Sequence, residues 1–112
     1  MTASQPLPRS TFLILLALAD QPRHGLGIID DIAERTAGDV RMGPGTLYGT
    51  LQRLLDGGLI RETAEAPDPD DDDPRRRYYA ITARGTRELR AEAERMLTLV
   101  RTAIHKNILE SA

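Results

Sequence analysis

The sequence predicts a mainly α fold in one small domain: three short helices, a two-stranded hairpin and one long closing helix. Three observations predict it. The 112 residues include 4% aromatics and no Trp, so the core must be built from Leu, Ile, Val and Ala, which suits helix packing better than a large sheet. Apolar residues recur at helical spacing in three stretches separated by Pro, Gly and Asp. From Thr82 to about Leu109 no proline interrupts a fourth helical pattern. The length allows one such domain and is too short for two comfortable ones.

Residues 1–8 hold two prolines, no charged side chain and no periodicity, and are expected to form a loose tail. Residues 9–81 form the folded domain and 82–112 the closing helix. From Arg9 to Asp20, Phe12, Leu13, Leu15, Leu16, Leu18 and Ala19 make the helix apolar nearly all round, the mark of burial on several sides. Gln21 to Gly25 reads as a turn. A second helix from Leu26 to Thr36 is expected to bury Leu26, Ile29, Ile32 and Ala33 and to expose Asp30, Asp31, Glu34 and Arg35. His24 has no second His nearby and no carboxylate at metal-ligand spacing, so it reads as a turn-packing residue rather than a ligand or base.

The third helix is the most informative stretch. Gly43 is placed to cap it, Pro44 fits its first position, and Gly57-Gly58 supplies the stop. Leu47, Leu51, Leu54 and Leu55 share one face. The opposite face carries Thr46, Tyr48, Gly49, Thr50, Gln52 and Arg53, hydrogen-bonding side chains beside a glycine that lets another surface approach. Such a face suits a DNA major groove, where Arg and Gln read base edges and Thr and Tyr reach phosphates. An amphipathic helix with a solvated outer side would look similar, so the neighbouring elements decide.

Two of them do. Three short helices in this order make a helix-turn-helix whose last helix reads. Leu59 to Ala66 and Arg76 to Ile81 then read as the strands of a hairpin, which completes a winged helix-turn-helix. The hairpin tip, Pro67 to Pro74, has Asp68, Asp70 and Asp72 at calcium-loop spacing, but Asp73 stands where Gly is needed and Tyr79 where a bidentate Glu would close the loop. No metal site is expected there. Arg75, Arg76 and Arg77 put a basic cluster at the wing base, with two expected to face DNA phosphates and one to fold back onto the aspartates.

Charge and composition narrow the function classes. Residues 1–66 hold six Arg against eight carboxylates, 67–74 hold five Asp, and 75–112 hold nine Lys or Arg against four Glu. One acidic loop therefore sets the sign of the net charge of −2, and the local field decides what can bind. With no Cys, no nucleophile and base pair, no phosphate loop and no metal cluster in the sequence, neither an enzyme nor a cofactor is expected. The longest apolar run, Phe12 to Ala19, is too short to span a bilayer, and the N-terminus lacks signal-peptide features. A cytoplasmic protein with no membrane partner is expected.

The closing helix, capped by Thr82, would run about 40 Å and must project beyond a three-helix domain. Leu89, Ala93, Met96, Val100 and Ala103 alternate by four and three, with Leu97, Ile104 and Ile108 widening the stripe. The natural partner is a second copy of the chain. Folding back onto its own domain is the alternative.

With these residues in hand, the chain resembles the PadR family of bacterial transcriptional regulators, its short single-helix members in particular. The resemblance covers about residues 9 to 108. It rests on Pro22-Arg-His-Gly25, on Gly43-Pro-Gly-Thr-Leu-Tyr48 followed by Leu51, Arg53, Leu54 and Gly58-Leu-Ile60, and on Arg76-Arg-Tyr-Tyr79 leading to Thr82 and Gly85. It implies a homodimer on a double-stranded DNA operator, usually a repressor of an adjacent operon, with the last helix packed on the partner's first, where Phe12 and Leu16 lie. It also implies, for some members, a flat hydrophobic or aromatic effector between the subunits. Many relatives have an aromatic residue where this chain has Leu26. Two other readings are kept: a small-molecule-sensing dimer with Phe12, Leu16, Met96 and Val100 around a cavity, and a winged-helix module that binds protein.

Overall fold

In the computed structural model, which describes residues 5–65 and 76–110, the chain runs α1 (Arg9–Leu18), β1 (Arg23–His24), α2 (Gly25–Arg35), α3 (Pro44–Asp56), β2 (Ile60–Thr63), β3 (Tyr78–Ile81) and α4 (Ala83–His105). Helix α1 is central because its apolar residues divide between two faces. Ile14, Leu15, Ala17 and Leu18 are buried with Ile28, Ile32, Leu47, Leu51, Leu54 and Leu89, while Leu16 is exposed on the other side.

Helix α2 departs from its expected face. Starting at Gly25 rather than Leu26, it buries Ile28 and Ile32 fully and leaves Leu26 exposed. Asp31, expected in solvent, is buried between Arg23 at 3.5 Å and Arg35 at 3.6 Å. Arg23 also donates from Nε to the Ala17 carbonyl at 2.6 Å, satisfying the end of α1. The expected turn thus carries an ion-pair knot that sequence spacing does not reveal.

The wing is a three-stranded antiparallel sheet of order β1-β3-β2. Ile60 pairs with Ile81 and Thr63 with Tyr78, as a hairpin requires, within strands shorter than expected. The added strand is Arg23–His24, paired with Tyr79 and Tyr78. Two residues of strand beside Pro22 give no alternation to read, and the partner strand lies more than fifty residues away. The hairpin tip, with its aspartates and Arg75, lies outside the described residues.

Helix α3 ends as its glycines require. Gly58 adopts φ +75°, and Leu59 N–H reaches back to the Leu54 carbonyl at 2.9 Å. Thr82 fastens the next junction: its hydroxyl donates to the Gly58 carbonyl at 2.7 Å and accepts from Gly85 N–H at 3.0 Å, and its own N–H bonds to the Leu59 carbonyl. Gly85 crosses the Leu59 backbone so closely that a Cβ would overlap the carbonyl. The first turns of α4 are therefore clamped to the domain.

Beyond them α4 is largely exposed, so it does not fold back. Its 23 residues end at His105, four short of the expected Leu109, where Asn107 takes φ +62° and the Ile108 N–H closes onto Ala103. The expected loose tail is instead tied down over residues 5–8. Leu7 packs on the core and donates its N–H to Glu92 Oε1 at 2.8 Å, and Arg95 donates to the Gln5 carbonyl.

Candidate nucleic-acid interface

The outer face of α3 presents Thr46, Tyr48, Gly49, Gln52 and Arg53 to solvent. Thr50 does not belong to it. It is 1% exposed, and its hydroxyl accepts from Arg53 Nη2 at 3.1 Å. The residue lies three positions from both Leu47 and Arg53, at the boundary of the two faces. Gln52 donates to Asp56 Oδ1 at 2.9 Å, one turn along the same face. Gly49 has open space where a Cβ would stand, the far end of Arg53 being nearest at 3.9 Å.

Tyr48 leaves this face toward α2. Its ring lies against Gly25, where a Cβ would sit 2.5 Å from the phenol oxygen. It forms one wall of a cleft of about 400 Å³ lined by His24, Gly25, Leu26, Tyr48, Arg76, Arg77 and Tyr79. Three elements thus meet at one place: the start of α2, the outer face of α3 and the root of the wing. Thr46, Gln52 and Arg53 stay on the exposed helix face outside the cleft.

The wing arginines diverge. Arg77 pairs with Glu62 on β2 at 3.4 Å, whereas Arg76 Nη1 comes within 3.4 Å of His24 Nε2. Burial, and then the Glu62 charge, raises the Tyr79 phenol above its ordinary 10.0, with Arg77 opposing, so Tyr79 enters the cleft as a neutral hydroxyl. His24 caps α2, its Nδ1 accepting from Gly27 N–H at 3.1 Å, and meets the Tyr78 ring edge-on with centroids 5.5 Å apart. Sequence reasoning assigned His24 to turn packing and gave Gly25, Leu26 and Tyr79 no place in a site. The three-residue spacing from His24 to Gly27 matches an N-cap, but strand β1, which carries His24 to the wing, left no signal.

The apolar stripe of α4 is divided. Leu89, expected at a subunit interface, is 8% exposed and belongs to the protomer's own core, because the clamp at Thr82 and Gly85 sets the first turns of α4 onto α1. Phe12 is half-buried against the same core. Ala93, Met96, Leu97 and Val100 are exposed, Ile104 is half-buried, and Leu99, outside the expected stripe, is 71% exposed. No helix among the described residues is long and apolar enough to cross a membrane.

Known proteins share this architecture. A transcriptional regulator from Clostridium thermocellum superposes with a TM-score of 0.67 at 26% identity, over 86% of each chain. Bacillus subtilis PadR, solved in complex with operator DNA, shares the fold with a TM-score of 0.58 at 23% identity, over 76% of this chain and 46% of that one. An uncharacterized 37.1 kDa protein of transposon Tn4556 from Streptomyces fradiae is 40% identical over 87 residues, and the chain spans only 23% of its length. Residues 14–91 match the family model described as the transcriptional regulator PadR-like family, and the chain belongs to that family.

Proposed function

We propose that two copies of this chain bind duplex DNA at an operator and repress an adjacent operon. The cleft carries the reading, because it joins Tyr48 of α3 to the wing-root arginines and makes one continuous polar and basic surface from two elements. In this reading Thr46 and Tyr48 hold phosphates, Gln52 and Arg53 read or flank bases, and Arg76 and Arg77, with Arg75, clamp the backbone. Gly49 lets the helix approach closely. The PadR of Bacillus subtilis, which shares this fold, was solved with operator DNA.

The exposed Leu16, Ala93, Met96, Leu97 and Val100, with Ile104, supply the dimer surface, and Leu99 extends it. A two-fold pair would carry two reading helices to half-sites about 34 Å apart. A small aromatic effector between the subunits would relieve repression. The protein needs no cofactor and does no catalysis in this scheme.

A gel-shift titration with the DNA upstream of its own gene, at two salt concentrations, tests the function. A shift that weakens steeply with salt is expected, because several phosphates are neutralised. No shift at micromolar protein would remove the reading.

A further inference from the structure

His24 and Arg76 face each other with Nε2 and Nη1 3.4 Å apart. The other ring nitrogen decides what this approach means. Because Nδ1 accepts the Gly27 N–H as the cap of α2, it carries no proton, and a neutral imidazole then carries its proton on Nε2. A guanidinium offers only donors. Two N–H groups therefore converge, and they cannot bond each other. An oxygen with several lone pairs, set beside both, would bond each.

The surroundings favour an anionic oxygen. Among the described residues that line the cleft there is no carboxylate: it holds Arg76, Arg77 and the hydroxyls of Tyr48 and Tyr79, and Glu62, outside that lining, pairs with Arg77. The imidazole is fixed on two sides, by the cap to Gly27 and by the edge of Tyr78. Its Nε2–H is thus aimed before anything binds, so little ordering is needed on association. A hydrogen bond to an ionised acceptor is also stronger than a neutral one.

We propose that His24 Nε2–H and the Arg76 guanidinium hold the same phosphate oxygen of a DNA strand, which makes His24 a DNA contact as well as a helix cap. This rests on the DNA-binding function proposed above. It ties the wing root and the start of α2 to one phosphate, and so fixes how the wing sits relative to α3 when DNA is bound.

His24→Asn separates the two roles, since Asn keeps a capping oxygen for Gly27 but ends short of Arg76; His24→Ser is the second such variant. Binding of the full chain to a short fluorescein-labelled duplex of mixed sequence is measured by anisotropy at low salt. Both variants should bind about fivefold more weakly, the loss of one net hydrogen bond. Arg76→Gln should lose more, and the double variant with His24→Asn less than the product of the two single losses, because both groups hold one oxygen.

On the wild type, imidazole nitrogen NMR should find the proton on Nε2 and see that signal move as duplex is added. That readout decides if either variant melts early. Unchanged affinity in both variants, or a still Nε2 signal in the saturated complex, overturns the contact alone. A wild type that binds no duplex removes the DNA-binding function and the contact with it.

Discussion

The Tyr48 ring on α3 rests against Gly25 at the start of α2, so closely that a methyl group on Gly25 would meet its phenol oxygen at 2.5 Å. The chief obstacle is the far end of a half-exposed side chain, which can swing outward, while the buried Leu47 Cδ2, 3.3 Å from the added methyl, has only a slight shift to make. Gly25→Ala should therefore cost little stability, on the order of 1 kcal/mol or less, while moving Tyr48 off its wall of the cleft. Thermal melts close to wild type combined with weaker DNA binding are expected. A collapse in melting temperature would place the pair in the core instead.

Tyr48→Ala probes the same wall directly. With 52% of the residue exposed, its loss should leave the helical circular dichroism signal unchanged and weaken binding to all DNA sequences alike, as expected of a phosphate contact. Loss confined to one sequence would instead make Tyr48 a base reader.

Gly85→Ala should be severe, because here the obstacle is the Leu59 backbone rather than a flexible tip. Overpacking of this kind costs about 2–3 kcal/mol, and it would loosen the clamp that sets α4 on the domain. Urea unfolding of the variant should show the lowered midpoint; a wild-type midpoint would mean that the crossing can widen freely.

Acid should release the N-terminal segment. The Arg95 guanidinium first, and then the Leu7 N–H, hold the Glu92 carboxyl below its ordinary value of 4.5. A carboxyl depressed on folding contributes stability that is complete above the unfolded value and is lost as pH falls through the folded one. Wild type should melt above Glu92→Gln at neutral pH, and the two curves should converge as pH drops below 4.5. A constant gap across that range would assign the difference to packing alone.

Val100→Glu tests the dimer surface. Val100 lies on the exposed outer part of α4, so the charge should cost the protomer little and convert a dimer to monomer in light scattering, with DNA affinity falling as the second half-site is lost. If the wild type is already monomeric, the dimer reading fails.

Much of the architecture was legible because it is local. Glycine and proline punctuation placed α3 and its end at Gly58, Thr82 announced the start of α4, and the spacing of Leu47, Leu51 and Leu54 named the core face. What stayed hidden depends on partners far along the chain. Asp31 is buried only because Arg23 turns back to meet it, and Leu89 is core only because Gly85 lets α4 approach Leu59. The residues of the candidate site divide in the same way. Side-chain chemistry and helical period alone determined the polar face of α3 and the arginine cluster, since both are contiguous in sequence. Tertiary structure alone brought His24, Gly25 and Leu26 into one cleft with Tyr48 and Arg76, because strand β1 is held to β3 by backbone hydrogen bonds that leave no trace in residue type.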